Sequence, residues 1–192
     1  MTIPNDLRRV VFEVPNFESC EFCERITARA FKQGFRAATI VTEDGTSVTP
    51  HIRNNDRVIF DDHALAKAVW QKTRALFSTP FKGHRAVGLN ERFRVYRYGP
   101  EQFFDWHQDG EYHSETGLRS LFTMMIYLSD RCKGGGTSFA DVFSPYVFND
   151  FTISPKQGKA LFFHHPLSHR GDKILSGEKF VLRTDVMFSP DA

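Results

Sequence analysis

A histidine and an aspartate stand two residues apart in the middle of the chain, within the segment FRVYRYGPEQFFDWHQDG. His107 and Asp109 follow a run rich in arginine, tyrosine and phenylalanine, a composition that favours a β-strand. Because side chains alternate along a strand, residues two apart point to the same side, so the imidazole and the carboxylate are expected to face one space. The two residues could form a buried hydrogen-bonded pair or two thirds of a metal site.

An iron site with two histidines and one carboxylate would need a further histidine from a distant strand. Three protein ligands on one face of an octahedral ion leave three positions open for a co-substrate and dioxygen. The downstream candidates are His113, His164, His165 and His169. The His-x-Asp spacing is weak evidence by itself, so the elements that surround it must be considered.

Short strand-like runs separated by Gly, Pro, Asp and Ser fill the chain from Arg92 onward. They are RFRVYRY, QFFDWHQ, SLFTMMIYLS, GTSFAD, FNDFTIS, GKALFFHH and EKFVLRTDVMF. About seven such runs predict an all-β sandwich or barrel and not a doubly wound sheet. We therefore predict a mostly β fold whose core, residues 86–192, is a double-stranded β-helix (jelly roll). The mouth of such a barrel is a natural place for a site.

The part of the chain before the predicted core has the pattern of a helix over residues 17–34. Asn16 or Ser19 could cap its start, and Gly34 is a natural stop. Apolar residues recur at helical spacing between them, at Phe22, Ile26, Ala30 and Phe31.

A second helix is predicted over residues 61–77, with Asp61 or Asp62 as its cap. Its expected buried stripe is Leu65, Ala68, Val69, Lys72 and Leu76. The polar stretch before this helix, with a turn signal at Asp44-Gly45, is predicted to be a loop. We expect residues 1–85 to form a helical lid region packed on the core, giving one domain over residues 1–192.

Composition narrows the classes of partner and location. The formal net charge of +2 is too small to indicate a nucleic-acid or membrane partner. The start MTIPNDLRRV lacks the apolar segment of a signal peptide, and the three cysteines give no disulfide framework, so a cytoplasmic location is expected. Cys20 and Cys23 have zinc-like spacing but no second pair, and we expect them to pack in the first helix.

The order of the segments resembles a known family. RFRVYRYGPEQFFDWHQDG, FTMMIYLSD, GGGTSF and GKALFFHHPLSHRGDKILSGEKFVLRTDVMF are similar to the prolyl 4-hydroxylase-like Fe(II)/2-oxoglutarate oxygenases, over roughly residues 90–188. The resemblance implies that His107, Asp109 and His169 are the catalytic iron ligands. It also implies that 2-oxoglutarate and dioxygen are co-substrates, and that Lys179, ten residues after His169, binds the far carboxylate of 2-oxoglutarate.

Other residues could share that carboxylate. By strand alternation Arg183 lies on the same face as Lys179. Arg183 could bind the far carboxylate of 2-oxoglutarate with two hydrogen bonds, or could instead form an internal ion pair with Asp185. The resemblance implies that Tyr127 hydrogen-bonds the same carboxylate and that Tyr98 lines the cleft. Either tyrosine could instead simply fill the barrel.

The roles of the remaining histidines follow from their positions in the motif. His164 and His165 come too early to match the distal ligand, and we expect them at a strand end, lining the cleft or exposed. His113 lies in the loop after Asp109, where it could contact substrate or be solvated.

The chemistry implied by the resemblance is hydroxylation of an unactivated C–H bond, with release of succinate and CO₂. Relatives that halogenate have a small residue in place of the acidic ligand, so Asp109 indicates hydroxylation. A nucleic-acid oxidative demethylase and a cupin-like metal-binding barrel without turnover are the alternative functions. The sequence gives no indication of oligomeric state.

The substrate is less well defined by the sequence. Arg53, Asn55 and Arg57, in HIRNNDRVIFDD, and His113 are candidate contacts for a small-molecule or peptide substrate. An amino acid or a peptidyl residue, including prolyl, would suit them, although such loop residues are often only solvated.

Overall fold

A computed structural model of the chain describes residues 3–42 and 45–189. The turn expected at Asp44-Gly45 falls partly outside these residues. The architecture is mostly β and is consistent with the predicted jelly roll. No helix in the described part of the chain combines the length and the apolar character needed to cross a membrane.

The helices are α1 (Cys20–Gln33) and α2 (His63–Thr73), with 3-10 helices at Asn5–Leu7 and Arg74–Phe77. The strands of the first half are β1 (Val11–Val14), β2 (Arg36–Ala37), β3 (Ile40–Thr42), β4 (Gly45–Ser47), β5 (Asp56–Asp61), β6 (Ala86–Leu89), β7 (Arg92–Tyr98) and β8 (Phe104–His107). The later strands are β9 (Arg119–Tyr127), β10 (Cys132–Gly134), β11 (Thr137–Ala140), β12 (Phe151–Ile153), β13 (Ala160–His164), β14 (Ser168–Gly171), β15 (Ile174–Gly177) and β16 (Lys179–Phe188).

Two antiparallel sheets build the core. The main sheet has the order β1-β13-β9-β16-β7-β5-β2, with β6 paired to β16, and the smaller sheet has the order β12-β11-β14-β8. Side chains from both sheets share one buried cluster, in which the rings of Phe139 and Phe163 lie 5.3 Å apart. The space between the sheets is therefore partly filled by aromatic side chains, and the remainder forms the cavity described below.

Strand alternation gives the main sheet two different faces. On β7, Phe93 and Val95 belong to the cluster that also contains side chains of α1 and α2, whereas Tyr96 and Tyr98 belong to the cluster between the sheets. The unusual run RFRVYRY thus combines an apolar face toward the helices with an arginine and tyrosine face toward the cavity.

The helix caps are among the features predicted from sequence. Ser19 caps α1 by accepting a hydrogen bond from the Phe22 amide at 3.1 Å, and Gly34 ends this helix with φ 80°. Asp62 caps α2 by accepting from the Leu65 amide at 2.8 Å. In the cysteine pair only Cys23 is buried, while Cys20 is exposed.

The stripe predicted for α2 is right at Val69 and at Leu65, which packs against the core, but wrong at Ala68, Lys72 and Leu76. The buried positions are Ala66, Val69 and Thr73, whereas Ala68 and Leu76 are exposed. The true face keeps helical spacing of three and four residues but is rotated by one position, because the Thr73 hydroxyl is satisfied by the Val69 carbonyl and can be buried.

The polar stretch before α2 is not only a loop. Strand β5 pairs with β7, and its Val58 and Phe60 are buried while Ile59 and Asp61 are exposed. This period-two pattern is short and lies among charged residues, so it was not recognised as a strand. Together with β1 and β2, β5 brings strands from the first 85 residues into the main sheet.

We predict that Phe162→Ala lowers the free energy of unfolding by about 3–5 kcal/mol. The ring is fully buried, stacks on Phe12 with centroids 5.0 Å apart and contacts Phe77 at 5.6 Å, so truncation leaves a cavity. Chemical denaturation would measure the change. Phe143→Ala is the matched control, because this ring is 90% exposed and its loss should cost no more than about 0.5 kcal/mol. Equal effects of the two substitutions would contradict the described packing.

Candidate metal and co-substrate site

Three side chains that could hold a metal converge at one end of the smaller sheet. His107 ends β8 and is the direct register partner of His169 on the neighbouring strand β14. Asp109 Oδ1 lies 4.0 Å from His107 Nε2, and Asp109 Oδ2 lies 3.7 Å from His169 Nε2. One candidate ligand atom from each residue lies within 4.8 Å of the others, a spacing that one bound ion can bridge.

The expected strand alternation does not bring His107 and Asp109 together. Strand β8 ends at His107, so Asp109 lies beyond it. The Asp109 amide donates to the His165 carbonyl at 3.2 Å, and the Thr123 hydroxyl donates to its Oδ2. Two contacts from the main sheet side thus hold the carboxylate beside the histidines.

Backbone contacts orient both imidazole rings for metal binding. Nδ1 of His107 lies 2.7 Å from the Asp105 carbonyl, and Nδ1 of His169 lies 2.9 Å from the Leu167 carbonyl. Since a carbonyl only accepts, each Nδ1 carries the proton and each Nε2 presents a lone pair. Burial lowers the pKa of His107 to about 3 and also lowers the pKa of His169, so both rings are neutral near pH 7.

The carboxylate of Asp109 is ionised although it is buried. Burial by itself would raise its pKa, but the Arg183 guanidinium at 3.1 Å outweighs this effect and the pKa lies well below its usual range. The same Arg183 nitrogen also lies 3.1 Å from Asp185. Of the two interpretations of Arg183, the internal ion pair is therefore present.

Lys179 has a different environment. It is only 1% exposed, and its ammonium donates to the Gly135 carbonyl at 2.7 Å and lies 4.5 Å from the centre of the Tyr98 ring. No carboxylate of the described chain forms an ion pair with it, and burial lowers its pKa to about 8. A buried cation without a carboxylate partner is costly, so this position fits an anionic ligand.

The glycine run before β11 makes room for this lysine. Gly135 has φ 69°, and a Cβ there would lie 2.4 Å from Ile174 Cδ1 and 3.4 Å from Lys179 Cδ. A side chain at this position would therefore crowd the ammonium stem and strain the backbone.

A cavity of about 450 Å³ connects the ligand cluster with Lys179. Its lining contains the candidate metal ligands and the aromatic side chains Tyr96, Tyr98 and Phe104. The lining also contains five cationic side chains, Arg53, Arg57, Arg94, Lys179 and Arg183. The structure thus brings together most of the residues singled out in the sequence.

The two tyrosines differ in position. Tyr98 lines the cavity, and burial raises its pKa to about 12, so its neutral hydroxyl can donate a hydrogen bond. Tyr127 is fully buried behind the wall, 2.7 Å from the hydroxyl of Thr137, which is the group that lines the cavity. Thr137, from the GGGTSF segment, was not singled out from the sequence.

The other histidines lie away from the cavity wall. His164 ends β13, so the predicted strand end is confirmed, but His164 and His165 are both buried and neither lines the cavity. They hydrogen-bond Tyr146 and Ser120, respectively, which accounts for their burial. The His113 side chain is 68% exposed, with Glu111 at 3.4 Å.

The loop before β5 is held against the ligand strand. The Asp105 amide donates to the Ile52 carbonyl at 2.8 Å, and Arg53 forms a β-bridge with Phe104. Arg53 is consequently buried, and both Arg53 and Arg57 line the cavity. Asn55 lies behind them and accepts a hydrogen bond from the Arg53 Nε at 2.7 Å. The solvated-loop alternative is therefore wrong for Arg53.

Sequence reasoning missed Arg94 and Tyr96 in the cavity wall. Both belong to the run RFRVYRY, and alternation from Tyr98 places them on the same face of β7. That alternation was the available signal. The hydroxyl of Thr123 beside Asp109 had no comparable signal, because it depends on a contact between two sheets.

A family model described as the 2OG-Fe(II) oxygenase superfamily matches residues 93–184. Among curated proteins, Prolyl 4-hydroxylase 1 of Arabidopsis thaliana is 24% identical over 188 residues, covering 86% of this chain and 64% of that protein. The chain thus spans just under two thirds of this relative's length.

Solved structures share the fold. The viral collagen prolyl hydroxylase of Paramecium Bursaria Chlorella virus-1, in a 2OG complex, has a TM-score of 0.68 at 23% identity, covering 94% of this chain and 96% of that one. A Pseudomonas putida prolyl-4-hydroxylase has a TM-score of 0.71 at 17% identity, covering 95% of each chain.

The matched range contains the three candidate ligands and both basic residues of β16. The cofactors of this superfamily are Fe(II), 2-oxoglutarate and dioxygen, which suit the triad and a buried lysine that has no carboxylate partner among the described residues. Residues 93–184 therefore match the 2-oxoglutarate/Fe(II) oxygenase superfamily, and the chain is similar to prolyl 4-hydroxylases.

Proposed function

We propose that the protein is an Fe(II)- and 2-oxoglutarate-dependent oxygenase that hydroxylates an unactivated C–H bond of a small-molecule or peptidyl substrate. One observation carries this proposal: the cluster of His107, Asp109 and His169 shares a cavity with Lys179, which is buried and has no carboxylate partner among the described residues. A metal site and a separate anion site in one cavity match a metal-chelating keto acid with a second carboxylate.

Each residue has a distinct role in this proposal. His107, Asp109 and His169 would hold Fe(II) on one face, which leaves the other positions open. Lys179 would bind the far carboxylate of 2-oxoglutarate, with the hydroxyls of Tyr98 and Thr137 close by. When bound, iron and 2-oxoglutarate would activate dioxygen, which is the oxidant: one oxygen atom would enter the succinate formed as 2-oxoglutarate loses CO₂, and the other would become the hydroxyl of the product.

Arg183 is a positioning residue and not the main anchor in this proposal. Its Nη2 already contacts Asp109, Asp185 and Thr123, so it holds the acidic ligand in place. Because Asp109 occupies the carboxylate position of the iron face, we infer hydroxylation and not halide transfer. A prolyl residue is one substrate within this proposal, since the relatives named above are prolyl hydroxylases.

We predict that His169→Ala and Asp109→Ala each reduce succinate formation by more than about 100-fold. Loss of even an indirect partner of a metal ligand costs about 10- to 100-fold, and these substitutions would remove ligands. Succinate and bound iron would be measured in the same preparations. His113→Ala is the matched control, because this histidine is exposed and lies outside the cavity wall. Full succinate formation by Asp109→Ala would refute the assigned triad.

An iron-loaded protein that binds 2-oxoglutarate anaerobically but never forms succinate, with any substrate class, would favour the barrel without turnover. Anaerobic binding is seen as a weak visible charge-transfer band. Retention on single-stranded DNA at moderate salt, together with DNA-stimulated succinate formation, would favour the demethylase.

The affinity for 2-oxoglutarate should depend on pH through Lys179. In the free protein its pKa is lowered to about 8, so the ammonium is charged below pH 8 and binding is strongest there. Above pH 8 the lysine must first gain a proton, and the dissociation constant should rise by about tenfold per pH unit. Calorimetric titration of the Mn(II)-loaded protein between pH 7 and pH 9.5 would measure this.

Lys179→Arg is the control for that titration, because guanidinium stays protonated over the whole range and should flatten the profile. Lys179→Met should weaken 2-oxoglutarate binding by about 30-fold or more at pH 7, as expected for loss of one partner of a buried charge pair. A flat profile in the unaltered protein would argue against Lys179 as the anchor.

A further inference from the structure

We infer that the substrate carries a carboxylate of its own, which Arg53, Arg57 and Arg94 bind in the cavity. This inference rests on the proposed function, since it concerns the substrate of the same site. It assigns three cationic side chains that neither the metal nor the co-substrate requires.

The three arginines form one wall of the cavity. Arg57 on β5 and Arg94 on β7 belong to paired strands, with Ile59 opposite Arg94, and Arg53 comes just before β5. Burial lowers the pKa of Arg57, and the nearby charges of Arg53 and Arg94 lower it further. All three guanidinium groups line the same cavity, so an anion bound among them would offset their mutual repulsion.

Arg53 has the most restricted geometry of the three. Its guanidinium lies between two rings, 4.6 Å from the centre of Tyr96 and 4.2 Å from that of Phe104. Its Nε donates to Asn55, which fixes the plane of the group. Its buried Nη2 forms no hydrogen bond of normal geometry within the described chain, although the hydroxyls of Tyr96 and Tyr98 lie near the guanidinium. A residue that is 5% exposed and lines a cavity with an unused donor is prepared to bind a ligand oxygen.

This donor lies close to the candidate metal ligands. The Phe104 ring that supports Arg53 stacks on the His107 ring with centroids 3.6 Å apart. The guanidinium is thus separated from a metal ligand by one aromatic ring. A substrate held there by its carboxylate would place its neighbouring carbon atoms near the metal.

The protein itself neutralises this wall only in part. Arg57 donates to the hydroxyl and the carbonyl of Thr39, which are both neutral. Arg94 has Asp185 at 3.8 Å, but that carboxylate also contacts Arg183 at 3.1 Å. Asp109 is the one carboxylate among the described residues that line the cavity, and it too contacts Arg183. Buried cations in such excess are costly unless a ligand supplies negative charge.

The pKa of the Tyr96 hydroxyl is affected by the same positive charges. Burial would raise its pKa, yet the charges of Arg53, Arg183 and Arg94 outweigh burial and lower it below the usual value. A neutral ligand would gain little binding energy from these charges. A carboxylate would be attracted by them and also matches the planar donor edge of an arginine.

The two carboxylates of 2-oxoglutarate do not account for these arginines. In the proposed function one carboxylate chelates iron and the other reaches Lys179, which lies on β16 opposite Tyr98. The arginine wall would therefore bind a third anionic group. A cavity of about 450 Å³ that also admits 2-oxoglutarate leaves space for a small acid or one terminal residue of a peptide.

The test compares pairs of compounds that differ only in charge. Nα-acetyl amino acids and their amides, including the proline pair, are added to iron-loaded protein with 2-oxoglutarate, and succinate formation above the substrate-free rate is measured. We expect at least one acid to stimulate at a concentration about tenfold or more below that of its amide, the size of effect expected from one charged hydrogen bond.

Substitutions in the wall link this preference to the arginines. Arg53→Gln should reduce the preference for acid over amide to less than about threefold, and Arg53→Lys should retain part of it because the charge remains. Arg57→Gln and Arg94→Gln test the wall independently if Arg53 variants fail to fold. Arg92→Gln is the matched control, since Arg92 is exposed on the same strand and pairs with Asp61.

Binding of 2-oxoglutarate, measured in every variant, separates the two proposals. Unchanged binding with a lost acid preference supports the arginine wall as the substrate site. Amides that stimulate as well as acids, no stimulation by any acid, or stimulation by an oligonucleotide alone would each overturn the inference while leaving the oxygenase intact. Failure of the unaltered protein to bind 2-oxoglutarate would overturn both.

Discussion

The buried ion pair between Arg183 and Asp109 is the interaction on which the site depends. Arg183 belongs to β16 of the main sheet, whereas Asp109 follows β8 of the smaller sheet, so the pair joins the two sheets across the cavity. It also keeps a buried carboxylate ionised, which a metal ligand requires. Since Oδ2 faces Arg183 and Thr123, Oδ1 remains the oxygen nearer to His107.

The main sheet can carry this pair because its two faces have different roles. Phe93, Val95 and their neighbours on one face bury apolar area against the helices, and this burial stabilises strands whose other face is charged. The cavity face can then hold several cations and a carboxylate without being the main source of stability. Such a division is typical of sites on rigid strands, where positions are fixed by packing elsewhere.

The sequence predicted the parts of the site that lie within continuous motifs. His107 and Asp109 were identified from their spacing, whereas the resemblance of the ordered motifs to a known family implied His169 as the third ligand and Lys179 as the anchor. The arginine wall was identified only in part, because Arg53 and Arg94 are far apart in sequence and meet through the pairing of β5 with β7 and the bridge from Arg53 to β8. Thr137 was missed for a related reason, since it comes from the smaller sheet and covers a tyrosine of the main sheet.

The total charge of the chain conceals this local field. A net charge of +2 is too small to indicate a nucleic-acid or membrane partner. Within the described residues, however, five cationic side chains and a single carboxylate line one cavity. Burial makes their field stronger than the same charges would produce on the surface, because water screens them less. Bound Fe(II) would add positive charge beside neutral histidines, so anionic ligands should bind most tightly once the metal is in place. Each bound anion then makes the electrostatic potential of the cavity less positive, which weakens the binding of the next anion. A site with separate positions for two anions therefore needs more cations than either anion alone would require.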